Sequence, residues 1–282
     1  MLEAWNPVDI INQSDFVEDF QGEVKLGQPG SLVTLQLDKA TVSFFATGVA
    51  RGRRFGRDDD RLRVLPAAVI DQQFDGGRWS PTGAVRAEMP IGPVNVAVSQ
   101  FLGTAREPVL TPVIGPAGLA GFRAFYDQIS QTSVEADLVL GDSVIKTEFI
   151  HQRTDQGTSW GGGVGIETSF NKIAGGPGDP TVYAEAYADS RSHEAALTPF
   201  QRDVFLGARY TLNDTRDTLL ELRHTHDLEW RSDLLELRAS RRVFEDMVFT
   251  FSVLKAANAA RDPALSSLGR DTQVKLRLAR FF

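Results

Sequence analysis

Cysteine is absent from the 282 residues. That excludes disulfide frameworks and thiolate metal sites, while an oxidising, exported compartment stays compatible with the chain. No run of eighteen apolar residues occurs, so no segment crosses a bilayer as a helix. A net charge of -7 disfavours a general nucleic-acid binder. Enzyme motifs are missing as well: there is no G-x-S-x-G, no H-E-x-x-H and no lipase-like pairing of His and Ser. The glycine-rich "WGGGVG" at 160–165 lacks G-x-G-x-x-G spacing and no helical pattern follows it, which excludes a dinucleotide site. Helical periodicity is weak throughout, nothing resembles a linker between two folding units, and no cofactor is implied.

What the chain does contain is alternation with a period of two. In "TQVKLRLARFF", Phe282, Leu278, Leu276 and Val274 fall on one face of an extended segment, while Phe281, Ala279, Arg277, Lys275 and Gln273 fall on the other. Similar segments occur at 31–38, 40–48, 79–89, 93–102, 129–140, 143–153, 158–170, 181–189, 203–212, 218–226, 231–241 and 247–256. With the last strand they make thirteen, each close to the ~9–11 residues that a tilted strand needs to cross a bilayer. A hydrophobic content of 42% with a slightly negative mean hydropathy fits such a barrel, because only one residue in two meets lipid.

The connections sharpen this reading. Turns near Asp38, at Ile91-Gly92 and at Gly141-Asp142 alternate with long stretches before Trp79 and Gln128, and the pattern continues less cleanly through turns at 213–217 and 242–246 and loops at 190–200 and 257–271. Short turns at one rim and long loops at the other are the pattern of an outer-membrane barrel. Trp79, Trp160 and Trp230 sit at the long-loop ends of strands, and Phe170, Tyr210, Phe249 and Phe282 near the turn ends, as two aromatic girdles would. The expected fold is therefore all-β, an antiparallel transmembrane barrel in a single domain. Its opening, "MLEAWNPVDI", has neither a basic start nor an apolar stretch, so a signal peptide is expected to have preceded it. Strand parity adds the expectation that an odd number of strands is missing upstream, for a closed total of ~16–18.

The terminal Phe282, with apolar residues at alternating positions before it, resembles the last strand of Gram-negative outer-membrane proteins. "WNPVDIINQSDF", "FGRDDDRLR", "FLGTAREPVL", "YDQISQTSVEADL" and "PFQRDVFLGARYTLNDTRDT" resemble segments of a family of large, poorly characterised proteobacterial outer-membrane barrels related to porins. The resemblance covers most of the chain. It implies an outer-membrane location, recognition of Phe282 by the barrel-assembly machinery, and lipid and lipopolysaccharide as surroundings. Arg280 departs from the pattern, standing where an apolar or aromatic residue is usual; near the headgroups it can snorkel.

Extending the alternation gives an inner face bearing Arg86, Glu88, Lys146, Glu148, Glu185, Arg209, Glu221, Arg223, Glu236, Arg238, Lys275 and Arg277. Cross-strand ion pairs are expected around Glu221, Arg223, Glu236 and Arg238. These charges either satisfy one another or, through unpaired Lys275 and Arg277, set a field at a constriction that favours anionic solutes. Gly161, Gly163 and Gly165 also point inward, leaving room for an inserted loop or a solute, or relieving a barrel bend.

The loop "ARGRRFGRDDDRLR" carries six arginines, among them Arg53, Arg54 and Arg57. It reads either as a solvated surface or as a segment that folds into the pore or pairs with lipopolysaccharide phosphates. "NPVDIINQSDF" reads as turn chemistry, with Asp9 or Asp15 bonding local backbone, and supplies too few oxygens for calcium. His224, His226 and Asp227 at the rim give a thin hydrolase signal. The chain is accordingly expected to be a passive channel for small solutes rather than an enzyme. A non-conducting barrel that binds a ligand or partner through its loops is the second reading, and an outer-membrane hydrolase the third.

Overall fold

The computed structural model describes residues 1–281 apart from 20, 22–23, 61–63, 172–175, 177 and 192–199. Phe282, the expected assembly signal, lies outside the described residues, as do Arg61 and Arg63 of the arginine loop. Among the described residues eighteen strands run in chain order: β1 (Gln13–Ser14), β2 (Lys25–Leu26), β3 (Ser31–Gln36), β4 (Thr41–Thr47), β5 (Val69–Phe74), β6 (Thr82–Ile91), β7 (Val94–Thr104), β8 (Val109–Gly115) and β9 (Gly118–Tyr126). There follow β10 (Gln128–Leu140), β11 (Ser143–Thr154), β12 (Gly157–Ser169), β13 (Asp179–Asp189), β14 (Arg202–Thr211), β15 (Leu219–Asp227), β16 (Asp233–Phe244), β17 (Met247–Ala257) and β18 (Thr272–Arg280).

Thirteen of these form one antiparallel sheet in the order β3-β4-β6-β7-β10 and then straight through to β18. They are the thirteen segments that the period of two picks out. Each neighbour follows from the chain by a hairpin or a longer return, so local pairing builds the sheet. Gly92 (φ 62°) and Gly141 (φ 60°) take the left-handed conformation that two-residue hairpin turns require. The outer strands β3 and β18 each pair on one side only.

Two expectations about the connections are corrected. The stretches before Trp79 and before Gln128 are not plain loops: β5 pairs in parallel with β9, which pairs antiparallel with β8, in a separate three-stranded sheet. Leu65, Leu110, Ala124 and Tyr126 form its buried core, and Phe74 stacks on Tyr126 at 4.8 Å between centroids. Nor does the alternation of short and long connections hold everywhere. Residues 155–156 form a tight turn between β11 and β12 on the rim that carries the long stretches, and 228–232 bring only five residues between β15 and β16.

Cross-strand partners share a face, so the register sorts every side chain of the large sheet. One face carries Val98, Val134, Phe149, Val164, Ile166, Val182, Leu206, Leu222, Leu237, Leu276 and their neighbours, all well exposed. Its charged members, Arg153, Arg202, Asp233, Arg241, Lys255 and Arg280, sit toward strand ends. The opposite face is polar in mid-strand and is covered by the protein's own chain. Leu2, Ala4 and Trp5 pack with Tyr183, Tyr187, Phe200 and Phe205, while Ile10 and Ile11 pack on Phe101, Ala105 and Ile129.

At the glycine wall the covering segment lies directly against the sheet. A Cβ on Gly163 lies 2.8 Å from Leu2 Cδ1 and 2.5 Å from Tyr187 Cδ1; on Gly165, 3.1 Å from Leu2 Cδ2; on Gly161, 3.3 Å from the Trp5 ring. Gly48, by contrast, has open space around its Cβ position. Gly163→Ala is expected to lower stability by about 1–3 kcal/mol through overpacking, and Gly48→Ala by much less. Urea unfolding midpoints of the two variants under identical conditions check the difference.

Candidate functional site

The polar face holds every residue expected to point inward, and the first five residues of the chain organise its centre. Four successive backbone N–H groups are caught by side chains of the sheet. Leu2 N donates to Glu148 Oε1 (2.8 Å), Glu3 N to Glu185 Oε1 (2.8 Å), Ala4 N to Glu185 Oε2 (3.1 Å) and Trp5 N to the Tyr187 hydroxyl (3.2 Å). Glu148 and Glu185 are 2% and 4% exposed, a burial that carboxylates tolerate only when charge-assisted hydrogen bonds replace water. Tyr187 in turn donates its hydroxyl proton to Glu185.

The Glu3 side chain extends the network. It reaches Lys146 Nζ (3.5 Å) and Arg209 Nη2 (3.1 Å), and Arg223 donates to its carbonyl oxygen (3.2 Å). Lys146 also binds Glu167 (2.6 Å), Arg209 binds Glu221 (3.1 Å), and Arg223 binds Glu236 (3.3 Å). Tyr183 donates to Glu221 at 2.7 Å. On the far strands Arg86 pairs with Glu135 (3.2 Å) and with Glu88. Arg86, Glu88 and Glu135 line an opening of about 450 Å³ beside the β3–β4 turn, together with Lys39 and Asp137.

Lys275 is not unpaired. Its Nζ lies 3.6 Å from Glu18 Oε1 and donates to the Glu18 carbonyl. Arg277 is exposed on the same face, and both line a cavity of about 150 Å³ with Arg238, Phe16 and Glu18. Arg280 binds Asp246 across the last hairpin at 2.7 Å.

The arginine loop divides. Arg53 is buried beneath residues 13–16: its Nε donates to Gln13, its backbone N–H to the Tyr126 hydroxyl, and its guanidinium lies 4.2 Å from the Phe16 ring centre. Arg54 binds Asp15 (2.6 Å), and Arg57 N–H bonds Asp60 (2.7 Å) within the loop. Asp15 also accepts from Val17 N and Glu18 N, and Asn6 accepts from Asp9 N, the local bonding that turn chemistry calls for.

The rim histidines differ from expectation. His224 and His226 both bond Asp233 Oδ1, at 3.0 and 2.9 Å, on the apolar face. Asp227 lies on the opposite face, where it accepts from Glu229 N and Trp230 N. Strand alternation separates it from the imidazoles, so the three do not form a catalytic group. Among the described residues no cluster of His, Asp and Glu is arranged to hold a metal.

Sequence reasoning missed Glu3, Glu135, Glu167, Tyr183, Tyr187, Gln131 and Arg106. The strand residues among them follow from the same period of two, but Glu3 and Arg106 lie outside the sheet. Comparison with known proteins finds no match: no family model, no curated protein and no solved structure matches the chain.

Hydrogen bonds to a charged acceptor are each worth about 1.5–3 kcal/mol. Glu185→Leu, which removes the acceptor for two amides, is expected to speed hydrogen exchange of Glu3 and Ala4 at least about tenfold. Exchange at the central β13–β14 amides is expected to change little. Hydrogen–deuterium exchange read by mass spectrometry on the folded protein measures both.

Proposed function

We propose that this protein is a porin-like channel of a Gram-negative outer membrane, a transmembrane β-barrel to which this chain contributes thirteen strands. The observation that carries the reading is the division of the sheet between an apolar face, charged only toward the strand ends, and a charged face filled with ion pairs. In water, so broad an exposed apolar surface is a liability; in lipid it is the surface that the solvent demands. Exposed Trp79, Trp160, Phe170, Tyr210 and Phe249 near the strand ends suit the two interfaces of a membrane. Closure of the barrel brings partners to β3 and β18, whose free edges would otherwise leave backbone groups unsatisfied in hydrocarbon.

Small solutes diffuse past the charged face. The opening lined by Arg86, Glu88 and Glu135, and the cavity lined by Lys275 and Arg277, offer polar space to such a path. The covering by residues 1–16 favours a second reading, a barrel that does not conduct and instead binds a ligand or partner through its loops.

Lipid contact is tested by Leu222→Arg. Leu222 stands on the apolar face, 47% exposed, opposite Ala208 and Leu237. In lipid the substitution is expected to cost about 2–4 kcal/mol; for a water-facing residue it is expected to be nearly neutral, which would sink the membrane reading. Folding titrations in vesicles decide between these values.

Conduction is tested separately in planar bilayers. The protein is expected to open steps of ionic current, and Lys275→Gln with Arg277→Gln to move the reversal potential toward cation preference. A silent bilayer containing correctly folded protein would transfer the assignment to the second reading. An unchanged reversal potential would remove these two cations from the constriction.

A further inference from the structure

A cavity of about 210 Å³ lies between residues 2–14, the arginine loop and the start of β8, and two of the cations that line it are not matched by an ion pair. Seven of its lining residues are ionisable: Glu3, Asp9, Lys25, Arg53, Arg106, Glu107 and Arg191. Asp9 is taken by Lys25 at 3.3 Å. Glu3 is taken by Lys146 and Arg209. Arg191 is held by Glu107 and by Asp189, a group with one negative charge in excess. Two cations of the lining remain, Arg53 and Arg106.

Both are almost completely buried, 4% and 5% exposed, and neither has a carboxylate partner among the described residues. Arg106 spends its Nε on the carbonyls of Ile10 and Ile11 and its Nη1 on that of Thr104, each at 3.1 Å. Its Nη2 has no acceptor, and neither has Nη1 of Arg53. The guanidinium groups are fixed from behind by Phe101 and Phe16, whose ring centres lie 5.3 and 4.2 Å away. Glu107 is close enough to act electrostatically on Arg53, but its oxygen is occupied by Arg191. Burial lowers Arg53 from its ordinary value and brings Arg106 down to about 10; a guanidinium keeps its proton at neutral pH even in a protein interior.

We propose that Arg53 and Arg106 form a binding site for a small oxyanion, a phosphate or carboxylate group held inside the protein by their two free N–H donors. The guanidinium fork suits such a group because it offers donors in a fixed plane to a ligand with several acceptor oxygens. Gln131, whose amide nitrogen already reaches toward the Pro7 carbonyl at 3.5 Å, adds a further polar wall. Trp5 lines the same cavity and reports on its occupation. The proposal does not depend on the membrane assignment, since both arginines lie outside the thirteen-stranded sheet.

The test uses the whole protein folded in detergent micelles. Inorganic phosphate is titrated against sodium chloride at equal ionic strength while the thermal unfolding midpoint and tryptophan fluorescence are followed; succinate replaces phosphate in a parallel series. Phosphate or succinate is expected to raise the midpoint beyond chloride and to change fluorescence in a saturable way, with the stronger of the two naming the ligand class. Arg53→Gln and Arg106→Gln are each expected to weaken the apparent affinity at least tenfold, and Trp5→Phe to remove the fluorescence response. If neither anion acts beyond chloride on the unaltered protein, the donors serve only water and the proposal fails, whether or not the arginine variants fold. A response retained in both variants would place the anion elsewhere and overturn it equally.

Discussion

The grip of Glu148, Glu185 and Tyr187 on the N–H groups of residues 2–5 is the interaction on which the interior depends. A carboxylate shut away from water needs donors, and an extended segment outside the sheet needs acceptors; the segment bonds Glu185 at both oxygens and Glu148 at one. The arrangement requires space between strand and segment. Gly161, Gly163 and Gly165 provide it by carrying no side chain where Leu2 and Trp5 lie. Glu3 is then carried to the middle of the basic groups of β11, β14 and β15, where its carboxylate meets Lys146 and Arg209.

From that centre the charged face is nearly self-neutralising. Acids and bases alternate along and across neighbouring strands, and ion pairs run from Lys146 and Glu167 to Arg223 and Glu236. Such pairs in a partly buried setting contribute less to stability than to a unique arrangement, because each ion's desolvation offsets most of its attraction. Their presence on one face, with Val, Leu, Ile and Phe on the other, makes the sheet suited to separating an aqueous inside from an apolar outside. Outside the sheet, Arg53 and Arg106 stand out because each keeps a buried N–H group without an acceptor among the described residues.

Much of the sheet was legible in the chain. A period of two over six to thirteen residues survives any change of surroundings, and turn glycines such as Gly92 and Gly141 mark where one strand gives way to the next. The same period sorted Arg86, Lys146, Glu185, Arg209 and Arg223 onto one face. Strands β5, β8 and β9 escaped because β8 carries Pro112 and a register shift at Val113, and because β5 pairs in parallel with β9, a segment some fifty residues away. Nothing local distinguishes such pieces from loop.

What the sequence by itself determined is therefore the set of long strands, their order and the two-sided character of each, because alternation is a property of the extended backbone alone. Only the tertiary structure decided what covers the charged face, since the partners lie far apart in the chain: Glu3 with Arg209, Arg54 with Asp15, Glu107 with Arg191. It decided equally that Lys275 is paired, and that His224 and His226 share Asp233 rather than meeting Asp227. Spacing tells which side of a strand a residue takes, but which group waits there is fixed by segments that arrive from elsewhere in the fold.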